Sequence, residues 1–338
     1  MAVEPIEKLF TYLDEVATVL EKNEVMTYLE GIASAGENLF YENVCQRVDE
    51  SLKETLQDKL DDVKGFQFEA EHVRKAFQLA TLKGMKSAVM PHHTMTPDAV
   101  CLFISYLFNK LVGRDRKKKT VLDLALGSGN LMYSLINHSP VTLAPFGVEV
   151  DETLLKLAFS SANLQKHPIE LFHRDSIEPL PLGEVDAVVT DLPVGYYPKD
   201  DVAKSYELRR EDGHSYIHYL MIEQAIKMTK DGGFLFFIIP NFLFDSDQAK
   251  KLNDFIKATT NIIALLQLPM SLFKAEKHAK SIFILQKKAE AIKPPRQALL
   301  VELPSFSNKE ALVAITKKID QWFLQELFLP NESVKGGR

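Results

Sequence analysis

From Val121 onward the chain repeats one pattern, a near-continuous apolar run of five to eight residues followed by a longer stretch with helical spacing. The runs are 121–126 (VLDLAL), 146–150 (FGVEV), 169–173 (IELFH), 186–191 (DAVVTD), 234–239 (FLFFII), 261–268 (NIIALLQL) and 281–286 (SIFILQ). A strand with one wet face alternates apolar and polar residues, so unbroken runs imply strands covered on both faces. Strands that alternate with helices pair through crossovers. That predicts an α/β fold with a doubly wound, mostly parallel seven-stranded sheet of the Rossmann-like kind.

Residues 1 to about 85 carry a different pattern. Ile6, Leu9, Phe10, Leu13, Val16, Ala17 and Leu20 recur at helical spacing behind Pro5, and further helix is predicted over 36–56 and 70–83. This part is expected to be an all-helical domain, a cap or a partner-binding module. After residue 288 come a Pro294-Pro295 linker, a short strand at 298–302 and an amphipathic helix over 310–329. The expected division is therefore 1–85 helical, 86–290 α/β, and 291–338 a C-terminal strand and helix.

Composition removes several classes. Acidic residues interrupt the apolar ones in the first thirty, unlike a secretory signal, and the run GGFLFFIIPNFLF is broken by Pro240 and too short for a bilayer. Cys45 and Cys101 are the two cysteines, and neither has a neighbour at metal-ligand spacing. No metal site and a reduced, cytoplasmic setting are expected. The net charge of −6 argues against a chain that grips nucleic acid by its own positive field. The basic run at 114–119 reads as a solvated loop ahead of a buried strand.

The chemistry concentrates after the first strand. Asp123-Leu124-Ala125-Leu126-Gly127-Ser128-Gly129-Asn130 joins a strand to a helical segment, and its glycines let backbone approach a ligand. An ordinary turn would use the same residues, and so would a dinucleotide site. The dinucleotide fingerprint wants a small third residue where Met132 stands. Asp123 suits a ligand with a cationic amine, which S-adenosylmethionine carries beside its sulfonium. Glu149, ending the second strand, fits a ribose acceptor or a plain strand-end acid. Asp175, after the third strand, fits an acceptor for an adenine amino group or a solvated loop acid.

Val121 through Asn130 resembles the Asp-Pro-Ala-Cys-Gly-Ser-Gly-Asn turn of adenine-specific DNA methylases, the modification subunits of type I restriction systems among them. His93-Thr94-Met95-Thr96-Pro97 resembles their Phe-Thr-Pro cofactor motif. Gly232-Gly233-Phe234 through Pro240-Asn241, then Leu266-Gln267-Leu268-Pro269 and Leu272-Phe273, resemble the end of their catalytic domain. The whole chain resembles the stand-alone YtxK-like proteins of Gram-positive bacteria. The resemblance implies a class I methyltransferase fold and S-adenosyl-L-methionine as cofactor, with Thr96 joining Asp123, Gly127, Ser128, Gly129, Glu149 and Asp175 around it. Thr96-Pro97 also reads as an N-cap followed by proline at the first helical position.

The same resemblance places the catalytic loop at Asp191-Leu192-Pro193-Val194, where the family has Asn/Asp-Pro-Pro-Tyr/Phe. Asp191 and the Leu192 carbonyl would orient an amine, with Pro193 stiffening the loop. Val194 lacks the aromatic ring, for which Tyr196 or Tyr197 would substitute if Gly195 folds the loop back. The function expected is an S-adenosylmethionine-dependent N-methyltransferase acting on adenine in DNA. Two alternatives stay open, an RNA or protein-amide acceptor and a non-catalytic cofactor-binding module. The expected partners are DNA, bound weakly and without sequence preference by the chain alone, and a specificity-conferring protein, with no membrane contact.

Overall fold

The computed structural model describes residues 4–87 and 95–329; of these, the ones up to 109 together with 115–180 form one compact unit, and 110–114 together with 181–329 form the other. In the first unit α1 (Pro5–Lys22) opens on a proline, whose missing N–H costs nothing in a first helical turn. A capping box starts α2 (Tyr28–Tyr41): Glu30 N–H donates to Thr27 Oγ1 at 3.4 Å, and Thr27 N–H donates to Glu30 Oε2 at 2.9 Å. Glu42 ends it in the left-handed region at φ 53°, and α3 (Glu50–Asp61) restarts behind the N-cap Asp49. The single helix expected over 36–56 is thus two. Leu39, Val44, Val48 and Leu52 all pack on one core across the break, so helical spacing persists where the helix does not. α4 (Ala70–Ser87) follows, then α5 (Asp98–Leu111).

The α/β part of this unit comprises β1 (Lys119–Asp123), α6 (Asn130–His138), β2 (Leu143–Glu149), α7 (Glu152–Gln165) and β3 (Glu170–His173). Its strands run parallel in the order β3-β2-β1. Leu154 and Leu157 of α7 belong to the core of the N-terminal helices. α2 comes so close to α7 that a Cβ on Gly36 would sit 2.2 Å from Ser160 Oγ. The N-terminal helices and α7, which joins β2 to β3, therefore share packing.

The second unit holds β4 (Val185–Asp191), α8 (Asp200–Ala203), α9 (Ile217–Met228), β5 (Thr229–Pro240), α10 (Ala249–Thr259), β6 (Thr260–Gln267), β7 (Lys280–Lys287), β8 (Leu299–Glu302) and α11 (Lys309–Phe323). The order is β4-β5-β7-β6-β8, with β7 antiparallel to both neighbours and the other pairs parallel. Among the described residues the strands number eight, mostly parallel, where seven were expected. The Pro294-Pro295 linker leads into β8, which pairs with β6 and shows the alternating exposure of an edge strand. Among the described residues no helix is long and apolar enough to cross a membrane.

Candidate active site

Parallel strands in register bring their carboxyl ends to one edge. Asp123 closes β1 opposite Gly147, two residues before Glu149 closes β2, and Glu149 lies opposite His173, two residues before Asp175. The register thus lines up Asp123, Glu149 and Asp175. Asp123 is buried and accepts from Ala125 N–H at 3.0 Å, while Asp175 is half-buried and accepts from Ile177 N–H at 3.0 Å.

Glu149 is 8% exposed and organises the turn itself. Its Oε2 accepts Gly127 N–H at 2.6 Å, and its Oε1 accepts the amides of Val150 and Asp151, both at 2.9 Å. A carboxylate offers about four lone-pair sites, so three backbone donors leave one for a ligand hydroxyl. The ribose-acceptor role expected of Glu149 is thereby limited to one hydroxyl. Gly127 has φ 58°, and a Cβ there would meet nothing within 4 Å, so open space flanks the turn. Gly129, at φ 84°, is different: a Cβ would lie 2.3 Å from the Tyr133 ring. Ser128 stands half-buried between them. Open space beside buried carboxylates fits a cofactor with an amine and ribose hydroxyls.

Thr96 is buried and stands ahead of α5, where the Pro97 carbonyl accepts from Val100 and Cys101 N–H at 2.9 and 3.0 Å. The helix begins one residue later than the sequence suggested, so Thr96 precedes the cap. His93 and Thr94, the front of that motif, lie outside the described residues. Asn130 Nδ2 donates to the Thr96 carbonyl at 3.1 Å, joining this segment to the glycine turn.

In the second unit Asp191 ends β4, with its side chain mostly buried. Leu192 is buried and its N–H donates to the Ile238 carbonyl at 3.1 Å, while Pro193 and Val194 are exposed. The far side of the loop is tied twice. Ile217 N–H donates to the Gly195 carbonyl at 3.1 Å, and Tyr197 N–H donates to the Ser215 carbonyl at 2.8 Å. Gly195 has φ 144°, which only glycine adopts without strain. Tyr197 is turned into the core. Tyr196 is 59% exposed and stacks on Tyr216, with ring centroids 5.2 Å apart and an interplanar angle of 22°.

Sequence reasoning missed Lys280. Its Nζ lies 2.7 Å from Asp191 Oδ1. Because β7 runs antiparallel, its first residue falls at the end of the sheet where β4 and β5 finish, with Lys280 opposite Pro240. The signal was a lysine just before an apolar run, meaningless until the strand's direction is known. Tyr216 was missed for the same reason, since only the bridge to Tyr196 brings the rings together.

A family model described as N-6 DNA Methylase matches residues 92–321, and one described as YtxK N-terminal helical domain matches residues 7–85. The uncharacterized protein YtxK of Bacillus subtilis strain 168 is 48% identical over 330 residues, 96% of this chain and 100% of its own. A crystal structure of a candidate class I S-adenosylmethionine-dependent methyltransferase from Listeria monocytogenes is 38% identical. It aligns with a TM-score of 0.89 over 94% of this chain and 99% of its own. The type I restriction-modification methyltransferase subunit of Streptococcus thermophilus shares the fold, with a TM-score of 0.65 and 16% identity over 93% of this chain and 74% of its own.

Proposed function

Because the chain belongs to the N-6 DNA methylase family, we propose that it methylates an amino nitrogen, with adenine in DNA as the acceptor. It is an S-adenosylmethionine-dependent methyltransferase by family and fold. When bound, S-adenosylmethionine supplies a methyl group on a sulfonium sulfur. The chain's part is alignment. An exocyclic amine is a weak nucleophile because its lone pair is delocalised into the ring. Asp191 and the Leu192 carbonyl accept its two hydrogens, so that the nitrogen can pyramidalise and attack in line. On the cofactor side, Asp123 takes the amine and Glu149 one ribose hydroxyl. Gly127, Ser128 and Gly129 admit the ligand close to backbone, with Thr96 and Asp175 completing the cradle.

The observation that carries this reading is the fixed position of Asp191. Lys280 holds one carboxylate oxygen, and hydrogen bonds tie the loop on both sides. A preorganised acceptor of this kind is what transition-state alignment requires. The exposed Tyr196 ring, backed by Tyr216, stands in for the missing aromatic, and base stacking of this sort is worth about 1–3 kcal/mol. Sequence choice is assigned to a protein partner, and the site of action to the cytoplasm.

The test is methyl incorporation by wild type and Asp191→Ala. The variant should bind cofactor as wild type does and lose roughly a hundredfold or more in rate. Equal incorporation by both would mean that the chemistry lies elsewhere. One observation favours a second reading, transfer to an RNA or protein amide: Val194 is 43% exposed where the family carries its ring. Incorporation into RNA or protein but not DNA would establish it.

A further inference from the structure

Arg74 is the largest fully buried side chain of the protein's described residues, 1% exposed, and it lies on α4. Burying a guanidinium is costly unless its donors are matched. Here they are matched by three elements. Nε and Nη2 form a fork on Glu71 of the same helix, at 2.8 and 2.6 Å. Nη2 also donates to Asp98 in the first turn of α5 at 2.6 Å, and Nη1 donates to Asn130 Oδ1 at 2.8 Å. Burial opposes the charge, but the hydrogen bonds and charges of Glu71, then Asp98, outweigh it and hold the pKa above its ordinary value. Glu71 in turn accepts from Asn137 of α6 at 3.1 Å.

The partners matter more than the burial. Asn130 is the first residue of α6, closing the glycine turn, and its other side-chain atom donates to the Thr96 carbonyl. Asp98 follows Thr96-Pro97 by one residue. A single cation on the N-terminal helical domain thus fixes both segments that carry the cofactor residues, one through Asn130 and one through Asp98. We infer that Arg74 is a positioning residue through which the helical domain sets the geometry of the cofactor cradle. The helical domain then serves as part of the cofactor site. The inference rests on the cofactor reading of the glycine turn and of Thr96.

Calorimetry with S-adenosylmethionine tests it on the full chain, using Arg74→Lys, Asn130→Ala, the double variant and Glu149→Ala. Arg74→Lys keeps the charge and loses the fork, and should weaken binding between about fivefold and a hundredfold. In the Asn130→Ala background the same exchange should cost clearly less, because one of the two routes from Arg74, the one to the glycine turn, is already cut and only that through Asp98 remains. A role in fold stability alone would cost the same in both backgrounds and would overturn the inference, as would wild-type affinity in Arg74→Lys. If Glu149→Ala also binds like wild type, the cradle assignment falls and takes this inference with it. Loss in Glu149→Ala alone removes only the role of Arg74. Should Arg74→Lys fail to fold, the unaltered chain still decides. Linkage is reciprocal, so cofactor must raise hydrogen-exchange protection in α4 around Arg74 as well as in the glycine turn. Protection confined to the turn would contradict the proposal.

Discussion

A carboxylate that accepts three backbone amides, as Glu149 does, supports the turn before it meets any ligand. Glu149→Gln replaces one acceptor by an amide that faces N–H donors. It should lower stability by about 1–3 kcal/mol and weaken cofactor binding at least tenfold, by about the same logic. Denaturant titration beside calorimetry checks this, and unchanged stability with weakened binding would show the amides to be unimportant. Gly129→Ala places a methyl against the Tyr133 ring at a positive φ, so a loss of about 1–2 kcal/mol from the backbone alone is expected, with more from the clash. His218 carries a pH dependence. Burial holds its pKa down, to about 4, against about 6.5 in an unfolded chain. Between those values the unfolded chain binds a proton that the folded chain does not. Stability should therefore fall as pH drops from about 6.5 to about 4, by up to about 3 kcal/mol. His218 Nδ1 has no partner among the described residues, so His218→Leu should fold. Urea midpoints measured over that window should be flatter for the variant than for wild type.

At the level of elements, each apolar run named from the sequence became a strand, and in the inner strands burial on both faces leaves an unbroken signature that needs no knowledge of neighbours. The edge strand β3 is the exception, exposed or half-buried along its length. The glycine turn and its acids were legible for a related reason, since register alone aligns the carboxyl ends of parallel strands. What the sequence could not supply was anything that depends on direction or on a second element. The reversal of β7 puts Lys280 beside Asp191, and the approach of α4 puts Arg74 beside Asn130. Neither residue lies in a motif. The break between α2 and α3 was missed because Val44 and Val48 keep helical spacing through a non-helical segment, although Asp49 ahead of Glu50 was there to be read as an N-cap. Thr27→Ala should cost about 1 kcal/mol through α2. Lys280→Met should leave cofactor affinity intact and slow transfer, because it removes the cation that holds one oxygen of the Asp191 carboxylate without touching the glycine turn. Weakened cofactor binding in that variant would show that Lys280 serves the cofactor rather than the acceptor.

For the whole molecule, a net charge of −6 would set the terms of the contact with DNA that the proposed function requires. Phosphate contacts dominate such affinity and release counterions. Binding by the chain alone should be weak, salt-sensitive and indifferent to sequence, and fluorescence anisotropy on several duplexes at two salt concentrations measures all three. Nanomolar affinity for one short sequence at physiological salt would show a reading surface in this chain. The proposed chemistry asks less of the surface and more of one residue: a methyl group would pass to an amino nitrogen positioned by Asp191. Its most direct measurement is transfer of labelled methyl from S-adenosylmethionine to DNA by wild type and Asp191→Ala, with the product nucleosides separated by mass. Wild type should yield N6-methyladenine and the variant roughly a hundredfold less or none, with equal cofactor affinity in the two. No transfer by wild type to DNA, RNA or protein while cofactor is bound would contradict it.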